Sequence, residues 1–416
     1  MSRIHAKYWI ETAFPLAQAA EVMAGEQSSG TFVKVPGETE ELRNRHAARV
    51  ERIVELDSVT EPSLPGARAP QTLFRRAEVS LSWPVENLGP SLPNLMATVA
   101  GNLFELQQFS GLKLLDLTLP GVFRDRYPGP QFGVAGTRLL SGVERLPLVG
   151  TIIKPSVGLS PEATAEMVRQ LAEGGIDFVK DDELQCDGPH CTFQARVDAV
   201  MRVINDHAAR TGKKVMFAFN VTGEVDEMLW RHDHVAARGG TCVMVSLNSV
   251  GLPGVTALRR HSTLPIHAHR NGWGALSRSP ALGFSFVAWQ KFWRLAGVDH
   301  AHVNGIRNKF CEADDSVIAS ARECLKPMFE GAGRGCEIMP VFSSGQWAAQ
   351  AADTYRELGS TDLIFACGGG IAAHPDGIGA GVNSVRQAWE AAIAGVPIEQ
   401  AARDHAELRR AMEKFG

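Results

Sequence analysis

Residues 150–183 read GTIIKPSVGLSPEATAEMVRQLAEGGIDFVKDDE, and this stretch decides the fold prediction. Its two outer parts, Gly150–Lys154 and Ile176–Lys180, are mostly apolar runs of the β type. Between them lies an amphipathic segment that begins with Pro161 and ends in a glycine pair, which are start and stop signals of a helix. The stretch therefore predicts one strand–helix–strand unit of a parallel sheet.

The same alternation of β-rich runs and long amphipathic segments continues toward the C-terminus. It predicts eight strands, at Gly150–Lys154, Ile176–Lys180, Val215–Asn220, Cys242–Leu247, Leu264–His269, Val298–Val303, Ile338–Ser343 and Asp362–Cys367. An open doubly wound sheet usually carries a Gly-rich fingerprint after its first strand, and no such fingerprint is found here. The pattern therefore predicts an α/β fold with a closed (β/α)8 TIM barrel.

The first part of the chain lacks this alternation. Short β-like runs such as Val50–Val54 are mixed with helical stretches, and the segment from Pro120 to Leu146 is rich in Gly, Pro and Arg. We therefore expect a smaller N-terminal α+β domain at residues 1–125 and a catalytic barrel at residues 126–416.

Composition excludes several classes of protein. With 44% hydrophobic and 21% charged residues the chain is typical of a globular enzyme, and a net charge of -4 without Lys/Arg blocks argues against nucleic acid as a partner. Seven scattered cysteines favour free thiols in a reducing compartment. No signal pattern and no apolar run of about 20 residues is found, so we expect a soluble, cytoplasmic protein that does not associate with membranes.

Polar residues cluster at one end of the predicted strands. Those that close an apolar run are Lys154, Lys180, Asn220, His269, His302 and Ser343, and Gly368 directly follows the last strand. In barrel enzymes the carboxyl ends of the strands carry the chemistry, so this placement predicts the active site.

The densest cluster is Lys180-Asp181-Asp182-Glu183. Side chains alternate along a strand, so Lys180 and Asp182 face the same way and Glu183 can reach the same space as the chain turns. A salt-bridged strand end is the plain alternative. At a barrel mouth, however, carboxylates can hold Mg²⁺, and a lysine that adds CO₂ becomes a carbamate, a further oxygen donor. Lys154, near such a metal, can move a proton on or off carbon.

Two histidine pairs and several anion-binding residues complete the candidates. The pairs His267/His269 and His300/His302 suit either a zinc site or buried, hydrogen-bonded imidazoles, and the neighbouring carboxylates favour Mg²⁺ over zinc. Anion binding is suggested by Arg270, His302, Ser343–Gly345 and Gly368–Gly370. The last two segments follow strands seven and eight, where barrel enzymes often bind phosphate through backbone N–H groups.

These motifs together resemble the RuBisCO superfamily and, within it, the RuBisCO-like (form IV) branch. The resemblance covers nearly the whole chain. Its most specific pieces are Gly150–Pro155 followed by Gly158–Ser160, then Asp177–Glu183, His267–Arg270, Asp299–His302, and Gly368–Gly370 followed by His374-Pro375.

The resemblance implies a role for each candidate. Lys180, as a carbamate, would bind Mg²⁺ with Asp182 and Glu183. Lys154 would be the acid/base residue on the enolate, His269 a proton-handling group and Asn102 a contact on the metal side. One phosphate end would be held by Arg270, His302 and Ser343, and the other by Gly345, Gly368 and Gly369. Glu26 and Thr31 match the segment that closes the partner subunit's site, so a homodimer or a multiple of dimers is expected.

Departures from the carbon-fixing enzymes are equally informative. Ser156 stands where the family has its second Lys, Trp273 where it has a second active-site His, and Phe32 where the carboxylases have Trp. The segment Val303–Asn308 replaces their mobile-loop sequence. The chain is therefore not expected to fix CO₂ on ribulose bisphosphate, although the metal and enolate machinery is retained.

One retained residue indicates the reaction. Lys309 stands where the carboxylases keep the loop Lys that contacts the added carboxylate, and such a cation is useful where a carboxylate is gained or lost. We therefore expect a Mg-dependent carboxy-lyase acting through an enediolate, as in the RuBisCO-like 3-oxo-isoapionate-4-phosphate decarboxylases.

Three alternatives stay open. The first is an enolase or isomerase of a methylthio-pentulose phosphate in methionine salvage. The second is a metal-dependent hydrolase of the amidohydrolase type, although there the His pair belongs at the first strand. The third is a non-catalytic binding relative, against which the polar strand ends argue.

Overall fold

The computed structural model describes residues 2–30, 35–331 and 334–416. The chain forms two compact units, each discontinuous in sequence. The first comprises Met1–Pro128, Gly272–Leu295 and Pro327–Gly335, and the second comprises Gly129–Asn271, Ala296–Lys326 and Cys336–Gly416. The expected domain boundary after residue 125 stays a prediction.

Strands and helices follow one another as follows. The strands are β1 Arg3–Thr12, β2 Arg49–Val59, β3 Phe74–Pro84, β4 Gly111–Thr118, β5 Leu148–Ile152, β6 Phe178–Lys180, β7 Met216–Asn220, β8 Cys242–Ser246, β9 Ile266–His269, β10 Leu282–Phe284, β11 His300–His302, β12 Met339–Phe342 and β13 Ile364–Ala366. The helices are α1 Leu16–Glu26, α2 Glu40–His46, α3 Leu92–Val99, α4 Gly121–Arg126, α5 Gly133–Ser141, α6 Pro161–Glu173, α7 Phe193–Thr211, α8 Val225–Ala237, α9 Leu247–His261, α10 Trp273–Ser277, α11 Phe286–Ala296, α12 Asp314–Leu325, α13 Ala351–Leu358, α14 Gly369–Ala372, α15 Ile378–Ala394, α16 Ile398–Asp404 and α17 Ala406–Phe415. Short 3-10 helices lie at Val85–Asn87, Gly101–Glu105 and Ala348–Gln350.

The first unit is built on a five-stranded sheet in the order β10-β4-β1-β3-β2. Its strands pair antiparallel except for β10, which lies parallel to β4. Along β1 every second residue from Ile4 to Ile10 is fully or almost fully buried, which is the alternation of a strand with one face in a core. This unit has the α+β character that the N-terminal sequence predicts.

The second unit is a closed barrel of eight parallel strands in the order β11-β12-β13-β5-β6-β7-β8-β9. Its interior is filled by apolar side chains such as Leu148, Phe178 and Met216, with less than 2% of each exposed. The predicted TIM barrel and its eight strands are confirmed.

Seven of the eight observed barrel strands are shorter than predicted, and the first has the predicted length but is displaced. It spans Leu148–Ile152 where Gly150–Lys154 was expected. Pro155 has no N–H for the ladder and restricts the residue before it, so the regular strand ends ahead of Lys154. Lys154 consequently lies in the turn that follows β5. The predicted helix at Pro161–Gly174 is confirmed as α6, with Gly174 as its C-cap.

Two carboxylates lie at the opposite end of the barrel, where strands begin. Asp177 precedes β6, accepts a hydrogen bond from the Val149 amide at 2.9 Å and pairs with Lys213 at 2.5 Å. Asp299 precedes β11 and accepts bonds from the amides of Gly133 and Ile266 at 2.9 and 2.8 Å. These buried groups join neighbouring strands, so both motif residues serve the closure of the barrel. Among the described residues, no helix is both apolar enough and long enough to cross a bilayer.

Candidate active site at the carboxyl ends of the barrel strands

Lys180 is the last residue of β6 and is 99% buried. Its Nζ donates to the carbonyl oxygen of Asp181 at 2.7 Å and lies 3.4 Å from Glu183 Oε2. Burial lowers the pKa of Lys180 below its ordinary value, and the nearby Glu183 and Asp182 carboxylates only partly oppose this. A lysine in this environment reaches its neutral, nucleophilic form more readily than an exposed one.

Lys154 forms the second part of the cluster. Its Nζ donates to Asp182 Oδ2 at 2.6 Å and to Ser156 Oγ at 2.8 Å. Burial raises the pKa of Asp182, but the hydrogen bonds from Lys154 and from the Leu184 amide outweigh it and keep this carboxyl group ionised. The turn after β5 and the turn after β6 therefore bring an ammonium group and a carboxylate into direct contact.

Asn220, at the end of β7, holds the turn that carries the carboxylates. Its Nδ2 donates to the carbonyl oxygens of Asp182 and Glu183 at 3.5 and 3.3 Å. Its Oδ1 accepts from Thr222 Oγ1 at 2.7 Å, which fixes the orientation of the amide. The polar strand end recognised in the sequence is thus a support for the Asp182–Glu183 turn.

A buried ion pair behind the turn was not found from the sequence. Asp181 Oδ2 lies 3.2 Å from Arg196 Nη2 and accepts from the Asn220 amide at 2.9 Å, and both charged side chains are fully buried. Burial raises the pKa of Asp181, and Arg196 opposes this rise. The sequence did contain one signal of this pair, since Arg196 is a charged residue on the otherwise apolar face of α7, next to Phe193 and Val197.

His269 joins the cluster from β9. Its Nε2 lies 3.4 Å from Glu183 Oε2. Burial lowers the pKa of His269 to about 4, with the Lys180 charge adding to the effect and Glu183 opposing it, so the ring is neutral at pH 7. Lys154, Lys180, Asp182, Glu183 and His269 are therefore linked by short contacts in one region of the second unit.

The other three histidines of the two predicted pairs are buried in the barrel. His267 Nε2 lies 2.8 Å from His302 Nε2, and His302 Nδ1 lies 2.9 Å from Ser343 Oγ. His300 Nε2 lies 2.8 Å from Thr137 Oγ1. Because these rings are buried and bond to each other or to hydroxyl groups, the alternative of buried, hydrogen-bonded histidines describes them better than a zinc site.

His232, Asp233 and His261, on α8 and α9, are the one group of three metal-type ligands found among the described residues. The Thr263 amide donates to His232 Nε2 at 3.2 Å, so the ring proton sits on Nδ1 and is donated to Asp233 at 3.0 Å. Neither nitrogen of His232 is then free for a metal. The cluster is a hydrogen-bonded triad of one buried and two exposed side chains.

The buried His300 gives a prediction for stability. Burial lowers the pKa of His300 to about 3, far below its ordinary 6.5. Between these two pH values the unfolded chain binds a proton at His300 that the folded chain does not bind. The contribution of the neutral ring to the free energy of unfolding is therefore complete above pH 6.5 and is lost as the pH falls. His300→Gln should reduce the slope of unfolding free energy against pH, between pH 6 and 4, by about 1.4 kcal/mol per pH unit.

Urea denaturation at several pH values measures this slope. The matched control is Thr137→Val, which removes the hydroxyl group beside His300 but keeps the titrating ring. It should lower stability at every pH and leave the slope as it is. An unchanged slope in His300→Gln would contradict the lowered pKa of His300.

Two of the predicted anion-binding residues, Arg270 and Ser344, belong to a hydrogen-bond network around Glu312. The Arg270 side chain is 95% buried, and its Nη2 donates to Glu312 Oε2 at 2.6 Å. Asn304 Nδ2 donates to the same oxygen at 2.6 Å, and Asn304 Oδ1 accepts from Ser344 Oγ at 2.8 Å. Glu312 was not recognised in the sequence, although it lies only three residues after Lys309.

Lys309 and the glycines lie in neighbouring loops. The Lys309 amide donates to the Ser344 carbonyl oxygen at 3.1 Å, and a Cβ built on Gly345 would lie 3.6 Å from the Lys309 Cβ. The Lys309 ammonium group is exposed and lies 5.3 Å from the centre of the Phe310 ring. A Cβ built on Gly368 would lie 4.0 Å from Lys154 Cε, whereas one on Gly369 would meet open space.

The remaining candidates belong to the first unit. Asn102 Nδ2 donates to Glu26 Oε1 at 3.3 Å, so these two residues contact each other. Thr31 and Phe32 lie outside the described residues. The roles assigned to all of these side chains stay predictions.

Comparisons with known proteins agree with this picture. Residues 133–415 match the family described as ribulose bisphosphate carboxylase large chain, catalytic domain, and residues 4–123 match the N-terminal domain of the same large chain. A rubisco-like protein from Burkholderia fungorum has a crystal structure that superposes with a TM-score of 0.93 at 47% identity, over 100% of both chains.

Two curated relatives have specific names. A 3-oxo-isoapionate-4-phosphate transcarboxylase/hydrolase from Xanthobacter autotrophicus is 59% identical over 410 residues, 99% of this chain and 98% of the relative. A 3-oxo-isoapionate-4-phosphate decarboxylase from Rhizobium etli is 47% identical over 410 residues, 98% of this chain and 97% of the relative.

Proposed function

The chain belongs to the ribulose bisphosphate carboxylase large-chain family, in its RuBisCO-like branch, and from this premise we propose that it breaks the bond to the carboxyl group of 3-oxo-isoapionate 4-phosphate. The structural observation that carries the proposal is the convergence of Lys154, Lys180, Asp182, Glu183 and His269 at the ends of β5, β6 and β9. Relatives that share most of the chain's length act on this substrate by name.

The donor set suits a magnesium ion. We propose that Asp182 and Glu183 bind Mg²⁺ together with Lys180, once the neutral Lys180 amine has added CO₂ and released a proton to form a carbamate. The lowered pKa of Lys180 supports this step, because only the neutral amine reacts with CO₂. Bound Mg²⁺ would supply Lewis-acid stabilisation of negative charge on the substrate oxygens.

The chain's own residues account for the proton transfers. When the carboxyl group leaves as CO₂, the electron pair of the broken bond passes toward the neighbouring keto group. We propose that Lys154, held by Asp182 and Ser156, returns a proton to carbon. His269 is neutral at pH 7 and offers a nitrogen as proton acceptor or an N–H as donor beside Glu183.

The other ligands follow from the resemblance. We propose that backbone N–H groups around Gly345, Gly368 and Gly369 receive the phosphate, and that Lys309 neutralises the carboxylate of the substrate. The open space beside Gly369 supports the first part. We also propose a homodimer, in which Glu26 and Thr31 close the partner's site, and we propose that Asn102 is a contact on the metal side. Sedimentation should give at least twice the 45.0 kDa of one chain.

The fate of the carboxyl group separates two candidate reactions. In a decarboxylase it leaves as CO₂, and protonation of the remaining fragment completes turnover. In a transcarboxylase/hydrolase it is transferred and stays in an organic product. The second candidate is favoured by one observation, namely that the relative with this name is 59% identical and the decarboxylase 47%.

Substrate labelled with ¹³C in the carboxyl group distinguishes the two reactions. We expect cleavage of the labelled bond in either case. Label recovered as CO₂ or bicarbonate identifies a decarboxylase, and label retained in an organic acid identifies the transcarboxylase/hydrolase. Intact substrate after incubation with Mg²⁺ and bicarbonate would refute the proposal, and turnover of a methylthio-pentulose phosphate instead would restore the enolase alternative.

A further inference from the structure

The Arg270 end of the site contains an internal counter-ion. Glu312 Oε2 accepts from Arg270 Nη2 and from Asn304 Nδ2, each at 2.6 Å, while Glu312 Oε1 accepts from Ser316 Oγ at 3.0 Å. The carboxylate is therefore held in place by three donors. The positive charge of Arg270, in a side chain that is 95% buried, is balanced by the chain itself.

His302 adds no donor to this end. Its Nε2 contacts His267 Nε2 at 2.8 Å, and its Nδ1 contacts Ser343 Oγ at 2.9 Å. His267 Nδ1 is buried and has no hydrogen-bond partner among the described residues. Because an unpaired buried N–H is rarer than an unpaired acceptor, the His267 proton belongs on Nε2 and is donated to His302.

The hydroxyl group of Ser343 can still donate a hydrogen bond to a ligand. His302 Nε2 acts as the acceptor, so its proton sits on Nδ1 and is donated to Ser343 Oγ. The Ser343 hydroxyl proton is then available to a ligand or to Ser344 Oγ, which lies 3.3 Å away. Among the described residues, this end therefore presents the Ser343 hydroxyl group, the neutral His302 ring and the Arg270–Glu312 ion pair.

A phosphate group at this end would be disfavoured. A dianion placed beside Arg270 would also lie near the Glu312 carboxylate, and like charges in a buried region repel more strongly than in water. The alternative, in which Glu312 swings away, requires breaking its bonds to Arg270, Asn304 and Ser316. A hydroxyl or hydroxymethyl group can instead hydrogen-bond to Ser343 without adding charge.

We infer that Glu312 is a specificity determinant that makes the Arg270–His302–Ser343 end electrically neutral, so that the site accepts sugar monophosphates and discriminates against bisphosphates. It is an alternative, for this chain, to the expectation that Arg270, His302 and Ser343 hold a phosphate. The inference rests on the proposed function for the position of the site, and it specifies which end of the substrate is uncharged.

Glu312→Gln tests the inference, because glutamine keeps the size and an acceptor oxygen but removes the charge. The probes are ribulose 5-phosphate and ribulose 1,5-bisphosphate, with binding measured by calorimetry in Mg²⁺ and bicarbonate. Wild-type protein should bind the bisphosphate no more tightly than the monophosphate. The affinity of the variant for the bisphosphate should rise at least about 10-fold, which corresponds to about 1.4 kcal/mol. Its affinity for the monophosphate should change less than about threefold.

Asp353→Asn is the matched control. Asp353 pairs with Arg307, which lies in the same loop as Glu312, and among the described residues it does not contact Arg270. This variant therefore loosens the loop but leaves the ion pair between Arg270 and Glu312 intact. Its preference between the two probes should equal that of the wild type. Thermal unfolding of all three proteins verifies that each is folded.

Three results would overturn the inference: no gain of bisphosphate binding in Glu312→Gln, an equal gain in Asp353→Asn, or a wild-type preference for the bisphosphate. Neither probe is the proposed substrate. The binding ratio is therefore obtained even if no bond to carboxyl carbon is broken in the activity assay, and the two proposals fail or stand separately.

Discussion

Replacing Lys180 by alanine is expected to lower kcat/KM and Mg²⁺ affinity by more than about 100-fold, since loss of a residue that only hydrogen-bonds to a metal ligand already costs about 10–100-fold. Lys180 is the buried amine whose Nζ lies 3.4 Å from Glu183, and without it the proposed metal site loses one of its three ligands. Steady-state kinetics and Mg²⁺ titration measure both quantities. Bicarbonate in the preincubation should activate the wild type and have no effect on the variant.

The matched control is Lys213→Ala. Lys213 also forms a close ion pair with an aspartate next to β6, but its partner is Asp177 at the opposite end of that strand. This variant should unfold at lower urea concentration and keep the kcat/KM of the wild type. If Lys180→Ala kept wild-type activity, neither the metal site nor the carbamate could be maintained.

Replacing Lys154 by methionine is expected to lower kcat by about 10² to 10⁴, the usual range for loss of a general acid or base, with a smaller change in KM. The Lys154 ammonium group is the only side-chain donor recorded for Asp182 among the described residues, at 2.6 Å. Single-turnover measurements with the labelled substrate would report the loss directly.

Two further variants separate proton transfer from charge. Lys154→Arg keeps the positive charge beside Asp182, but a guanidinium group does not release its proton at neutral pH, so this variant should be as slow as Lys154→Met. Ser156→Ala removes the other partner of Lys154 and retains the ammonium–carboxylate contact, so its loss should be much smaller. An active Lys154→Arg would reduce Lys154 to an electrostatic role.

The barrel could be predicted from the sequence because its signal is local and repeated. Each βα unit shows its own change from β-type runs to helical periodicity, and eight such changes leave few other folds. The strand ends were less certain. Lys154 was expected to close a strand but lies in the turn after it, because the proline that follows ends regular pairing.

The candidate site could be predicted only where it depends on neighbouring residues. The alternation of faces along a strand was enough to bring Lys180 together with the Asp182–Glu183 turn. The pairing of Arg270 with Glu312 spans 42 positions, and the contact between His267 and His302 spans 35. No sequence period reports such contacts, which is why the Arg270–Glu312 pair was missed.

The carboxylates at the starts of the strands have a wider consequence. Asp177 and Asp299 join neighbouring strands by buried bonds at one end of the barrel, while the lysines and carboxylates proposed for chemistry in the same unit lie at the other end. Substitutions in the catalytic loops can therefore accumulate over generations without opening the cylinder. In such a barrel the reaction can change while the bonds that close the barrel are kept, and the two relatives indeed have names that describe different reactions.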